Sequence, residues 1–160
     1  GDNGTPRQVT RRLDTQRDAK GTIYNGGTQV PFVISGPGIA QGRNDNPVQV
    51  TDLFDTIPSI TGANGHTADS HDLTPTFKGQ NSTREATMIE HFSSREGRGR
   101  PVYGWVVTTE DYALIQPEDA AAELYKTDDR DQSNNLMAGT NAAAQRAAET
   151  LAQLRTEMLE

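Results

Sequence analysis

The 160 residues could form one domain or two small ones, but only 32% are apolar and the aromatics are four Phe, four Tyr and one Trp, so any core is thin. There is no cysteine, which excludes disulfides and thiolate metal sites, and a net charge of −7 opposes binding to nucleic-acid phosphates. These residues contain no basic leader and no long apolar run, so neither a signal peptide nor a membrane span is expected within them; a longer precursor is another matter.

The charge is unevenly spread. Residues 1–20 carry a balance of +2 and residues 21–160 a balance of −9. A basic segment beside Asp2 and Asn3 suits a small anion better than a polyanion. On charge alone, a solvated surface that happens to be basic is the simpler reading.

Residues 1–4 (GDNG) are turn formers, and residues 5–19 fit either a short exposed helix or a long loop. The Gly26-Gly27 pair breaks the chain before residues 30–35 (VPFVIS), an apolar run that predicts a strand buried on both faces. Thr51-Asp52 forms an N-cap pair for a helix ending at Gly62, with Leu53, Phe54, Ile57 and Ile60 on its apolar face and Pro58 kinking or shortening it. Residues 63–83 read as irregular and packed by Leu73 and Phe77. Strands are predicted over 86–92, 102–108, 112–116 and 123–126, with spacing that favours antiparallel pairing. An acidic, amide-rich loop follows at 128–136. From Thr140 or Asn141 a helix runs to the end, its stripe of Ala144, Ala147, Leu151, Leu154 and Met158 packing across the sheet.

Taken singly, the polar residues say little. Asp2-Asn3 offers hard oxygen donors of the kind that calcium or magnesium takes, but Asp-Asn in a loop is usually only a loop. Lys20 can hold a tetrahedral anion or simply be exposed. His66, His71 and His91 lack metal-ligand spacing and read as isolated surface or hydrogen-bonded side chains. No nucleophile-elbow, phosphate-loop or dinucleotide-binding fingerprint is present.

Order and spacing together are more specific. The succession DNGT, KGTIYNGG, VPFVISGPGI, VQVTDLFDTIPSITG, DSHDLTPTFKG and ELYKTDDRDQSNNL resembles the sulfatase family of the alkaline-phosphatase-like superfamily over nearly the whole chain. The resemblance implies the C-terminal portion of such an enzyme. Its expected fold class is α/β plus α+β: residues 1–82 end an α/β catalytic domain, and residues 83–160 form a small antiparallel sheet packed by a C-terminal helix. It also implies that Asp2 and Asn3 bind a divalent metal, normally calcium, and that Lys20 contacts the sulfate of a sugar or aryl sulfate ester. The nucleophile in that family is a formylglycine made in a C/S-x-P-x-R motif. That motif is not found here, so the catalytic residues and the N-terminal part of the sulfatase are expected on preceding sequence. Localisation by resemblance is exported (periplasmic or extracellular) or lysosomal.

Departures occur at Gln29, where the family has Arg, and at Asp55, Pro58, His71-Asp72 and Lys126; none touches Asp2, Asn3 or Lys20. His91, Arg95, Arg98 and Arg100 flank a glycine-rich loop that could contact substrate, although an exposed loop is the simpler reading. Three alternatives stand beside the sulfatase portion: a phosphatase or phosphonate hydrolase of the same superfamily, a non-catalytic binding or structural module, and a degenerate homologue that kept the fold.

Overall fold

The computed structural model describes residues 4–10, 19–91 and 103–160, with the backbone alone for Arg7 and Thr10. Asp2, Asn3, the interior of the expected 5–19 segment and the arginine loop lie outside the described residues. Contacts divide the chain into two compact units, Gly1–Phe32 with Met88–Glu160, and Val33–Thr87. This grouping differs from a cut at residues 82 and 83, because the opening segment joins the sheet.

The strands β1 (Thr87–His91), β2 (Gly104–Thr108), β3 (Tyr112–Pro117) and β4 (Glu123–Lys126), of the first unit in all but Thr87, form a sheet in that order. The last three pair antiparallel, as the spacing predicts, with Val106 opposite Ile115, Val107 opposite Leu114, and Leu114 opposite Leu124. Alternation sends Val106, Ala113, Ile115 and Tyr125 to one face, where they pack with Ile23 and Tyr24 from the opening segment. Val107, Leu114 and Leu124 point to the other face.

That second face belongs to the C-terminal helix (Ala142–Glu157), which contacts β2 and β3. Asn141 caps it, its side-chain oxygen accepting from the N–H groups of Ala143 and Ala144. Ala144, Ala148 and Leu151 are buried, while Met158, expected on the stripe, is exposed. Near the end of this helix Arg155 stacks over the ring of Trp105, 4.8 Å from its centroid, and pairs with Glu90 of β1 at 2.5 Å. The sheet is therefore covered on both faces, which explains why β3 is buried at Ala113, Leu114 and Ile115 in succession.

The Val33–Thr87 unit departs further from expectation. Residues 30–35 do not form the predicted buried strand: they belong to no helix or strand, and Val33 is 89% exposed. An apolar run becomes a strand only beside another edge, and the one sheet among the described residues is built from β1 to β4. The predicted helix is present, as a 3-10 turn (Val50–Asp52) followed by an α-helix (Leu53–Thr61). It runs unbroken through Pro58 and ends at Gly62, whose left-handed φ of 74° suits glycine.

The helix faces the opposite way from expectation. Phe54, Ile57 and Ile60 are 55–60% exposed, and Asp52, Asp55 and Thr56 are buried. Polar partners cause the reversal. The Asp52 carboxylate, expected as an N-cap, instead receives the Arg84 guanidinium and the N–H groups of Gln49 and His71. Arg84 also donates to the carbonyls of Asp69 and Ala86. The Thr56 hydroxyl donates to Asp52 O at 2.6 Å and accepts from Leu73 N at 2.9 Å. A single helical turn (Thr74–Phe77) sits in the otherwise irregular stretch, with Leu73 and Phe77 buried as predicted.

Candidate functional site

The two halves of the most specific motif meet in space. Thr5 N donates to Gly26 O and Lys20 N donates to Thr5 O, both at 2.8 Å, so the residues just after Asp2-Asn3 are threaded between Lys20 and the glycine pair. Gly4 lies so close to Gly26 and Gly27 that a Cβ there would overlap their backbone; a Cβ on Gly27 would overlap Thr22 O. Contrary to expectation, the glycine pair does not turn the chain into a strand. It lies within a single helical turn (Asn25–Thr28), and the absence of side chains is what permits the close approach.

Lys20 is exposed and follows the buried Ala19, whose carbonyl accepts the Thr22 hydroxyl at 3.0 Å. Ile23 and Tyr24 then plunge into the core, and the Tyr24 hydroxyl donates to Glu123 at 3.1 Å. Lys20 is thus held at the surface by a segment anchored in the sheet. Gln29 is exposed, and its N–H closes the Asn25–Thr28 turn by donating to Asn25 O.

Sequence reasoning missed the loop that grips this segment. Gln132 is buried, at 6% exposure, and its Oε1 accepts from Asn25 N at 3.0 Å. Arg130 O accepts from Asn25 Nδ2 at 3.1 Å. Asp129 shapes the loop by accepting from Ser133 N, Ser133 Oγ and Asn134 N. The backbone donor of Asn134 lowers the Asp129 carboxyl most; burial opposes it, and the Ser133 N–H and hydroxyl with the Gln132 N–H tip the balance, leaving the carboxyl below the usual range. A separation of more than a hundred residues leaves no local signal for these contacts.

In the Val33–Thr87 unit two histidines are hydrogen-bonded, as expected. His66 Nδ1 lies 2.7 Å from Asp55 Oδ2, and His71 Nδ1 lies 2.9 Å from the Thr83 hydroxyl. With Ser59, Ser70 and Asp72 they line an open depression. Burial raises the Asp72 carboxyl, but the Thr74 N–H, the Thr74 and Ser59 hydroxyls and Lys78 outweigh it and leave it lowered. Asp55 also accepts from Thr67 N, which makes it a tether for the His66 loop. His91 stacks on Tyr103 with centroids 5.5 Å apart.

Among the described residues no group of three or more His, Asp or Glu could hold a metal ion. Calcium held through Asp2 and Asn3 needs four or more further oxygens. Among the described residues no helix is long and apolar enough to cross a membrane.

No family model and no curated protein matches the chain by sequence. Solved structures do match it. One is a protein of Bacteroides thetaiotaomicron assigned as a sulfatase, at 24% identity and TM-score 0.62, covering 85% of this chain and 31% of that one. A 2-O GAG sulfatase matches at 25% identity and TM-score 0.60, covering 84% and 30%. A third, solved with its substrate D-glucosamine-2-N,6-O-disulfate, matches at 20% identity and TM-score 0.54, covering 66% and 22%. The chain spans less than a third of the length of each. Its fold is that of the C-terminal part of an alkaline-phosphatase-like sulfatase.

Proposed function

We propose that this chain is the C-terminal portion of a sulfuric ester hydrolase. In this reading Asp2 and Asn3 supply two oxygen ligands to a divalent cation, calcium by preference, and Lys20 binds the sulfate group. The formylglycine nucleophile and the remaining ligands lie on the N-terminal part of the same protein. Residues 1–82 close the catalytic domain and residues 83–160 form its C-terminal subdomain. The observation that carries the reading is the junction of Gly4-Thr5 with Lys20 and Gly26-Gly27, which joins the motif's two halves in a fold shared with sulfatases.

A bound cation would supply positive charge to the sulfate oxygens. The chain's own contribution is positional. The Thr5 carbonyl and the Ile23–Tyr24 anchor hold the Lys20 backbone, so its ammonium reaches the anion without the segment reorganising. As the S–O bond breaks, negative charge grows on the oxygens, and an ammonium carried on a fixed backbone stabilises that state more than the ground state. Sulfated sugars are the favoured substrates, because the similar structures include a 2-O GAG sulfatase and a complex with a disulfated glucosamine. An exported or lysosomal location follows from the same reading.

The test is the full-length protein with Lys20→Ala and Asp2→Ala, assayed on sugar and aryl sulfate esters. Each change is expected to lower kcat/KM by about 10²–10³-fold, as for removal of one electrostatic stabiliser. Calcium should raise the Tm of the unaltered protein and not that of Asp2→Ala. Unchanged turnover in Lys20→Ala, or a full-length sequence without C/S-x-P-x-R, sinks the proposal.

A further inference from the structure

Gln132 is the single non-glycine residue with positive φ among the described residues, at 49°. Such backbone is disfavoured for a residue with a Cβ, and glycine is the ordinary occupant. Glutamine therefore stands there for its side chain. The side chain is buried, and the Asn25 N–H fixes its orientation, since only Oε1 can accept from a donor. Its Nε2 is left buried without a hydrogen bond among the described residues. Both disfavoured features, the left-handed backbone and the orphaned donor, accompany one interaction: the carbonyl that meets Asn25.

We propose that Gln132 is a positioning residue for the Lys20 segment. The linkage is continuous. Gln132 Oε1 holds Asn25 N, Asn25 leads into Gly26, Gly26 O receives Thr5 N, and Thr5 O receives Lys20 N. Arg130 O grips the Asn25 side chain from the same loop. Loosening Asn25 frees the Gly26 carbonyl, and with it both the Gly4-Thr5 stretch of the motif and Lys20. The link from Lys20 to substrate rests on the proposed sulfatase reading; the grip on Asn25 does not.

Three variants of the full-length protein separate these possibilities. Gln132→Met keeps the bulk and removes the acceptor, Gln132→Gly relieves the backbone and removes the acceptor, and Gln132→Glu keeps an acceptor. Hydrogen exchange at Asn25 is expected to speed up about tenfold, the order of one lost hydrogen bond, in the Met and Gly variants and to stay near wild type in the Glu variant. KM for a sulfate ester should rise by a similar factor in Met and Gly, with kcat changing less and Glu restoring it. Unchanged Asn25 exchange in Gln132→Met overturns the proposal, and so does a Gly variant that behaves as wild type, since only backbone relief would then matter. Raised exchange with unaltered KM overturns the positioning role and leaves a purely structural contact. If the unaltered full-length protein hydrolyses no sulfate ester while exchange responds as expected, the sulfatase reading fails and the grip on Asn25 stands.

Discussion

The sheet unit and the Val33–Thr87 unit solve the same problem with opposite materials. The first closes an apolar sheet between the C-terminal helix and the Ile23–Tyr24 anchor, so its large side chains disappear from solvent. The second gathers its hydrogen bonds around Asp52, Thr56 and Arg84 and leaves Phe54, Ile57 and Ile60 outside. Amphipathic pattern therefore locates a helix without saying which face is buried. A carboxylate with donors from three residues can outcompete an apolar stripe that has no surface to meet.

The largest expected effect tests that polar centre. Arg84→Ala leaves Asp52 as an unpaired charge in a fully buried site and should cost about 3–5 kcal/mol by urea denaturation. A cost below about 1 kcal/mol would show that the pair is dispensable. In the sheet unit, Leu124→Ala should cost about 3 kcal/mol through lost burial and a cavity. The two changes should also differ locally: hydrogen exchange should rise in residues 52–73 for the first and in the strands for the second.

Gly27→Ala should follow at about 2 kcal/mol, since its methyl overlaps Thr22 O and backbone must shift. Exchange at Thr22 and Thr28 is the local reporter. Ile57→Ser sharpens the comparison differently. If that face meets only water, the stability change stays within about 0.5 kcal/mol. A loss of several times that in the full-length protein would mean that another part of the molecule covers the face.

The smallest effect is pH-linked. The folded carboxyl of Asp129 is depressed below its ordinary 3.8, so its contribution is fully present above that value and is lost as pH falls through the lower folded one. Asp129→Asn should therefore be slightly less stable than wild type at neutral pH, with the difference vanishing in strong acid. A constant difference at every pH would remove the ionised carboxylate from the account.

Legibility tracked the range of the interactions. The antiparallel strands and the Asn141-capped helix were readable because alternation, turn spacing and capping are local. The motif halves were readable as a pair through family resemblance, and the structure adds their contact through Thr5 and Gly26. Residues 30–35 failed because a strand depends on its neighbours as well as on its own composition. Gln132 failed for a related reason: its left-handed backbone and its partner Asn25 are set by tertiary contacts. The pairing of His66 with Asp55 is only eleven residues long, yet an irregular loop gave no periodicity from which to predict it.

The polar centre has a thermal consequence. Heat capacity of unfolding grows with the apolar surface newly exposed to water and falls with the polar surface exposed. Around Asp52 and Arg84 melting releases mainly charged and hydrogen-bonding groups, because Phe54, Ile57 and Ile60 are wetted beforehand. The Val33–Thr87 unit should therefore show a flatter stability curve than the sheet, losing less of its hold on cooling. In the cold, the part that looks less finished is the part whose hold should weaken least.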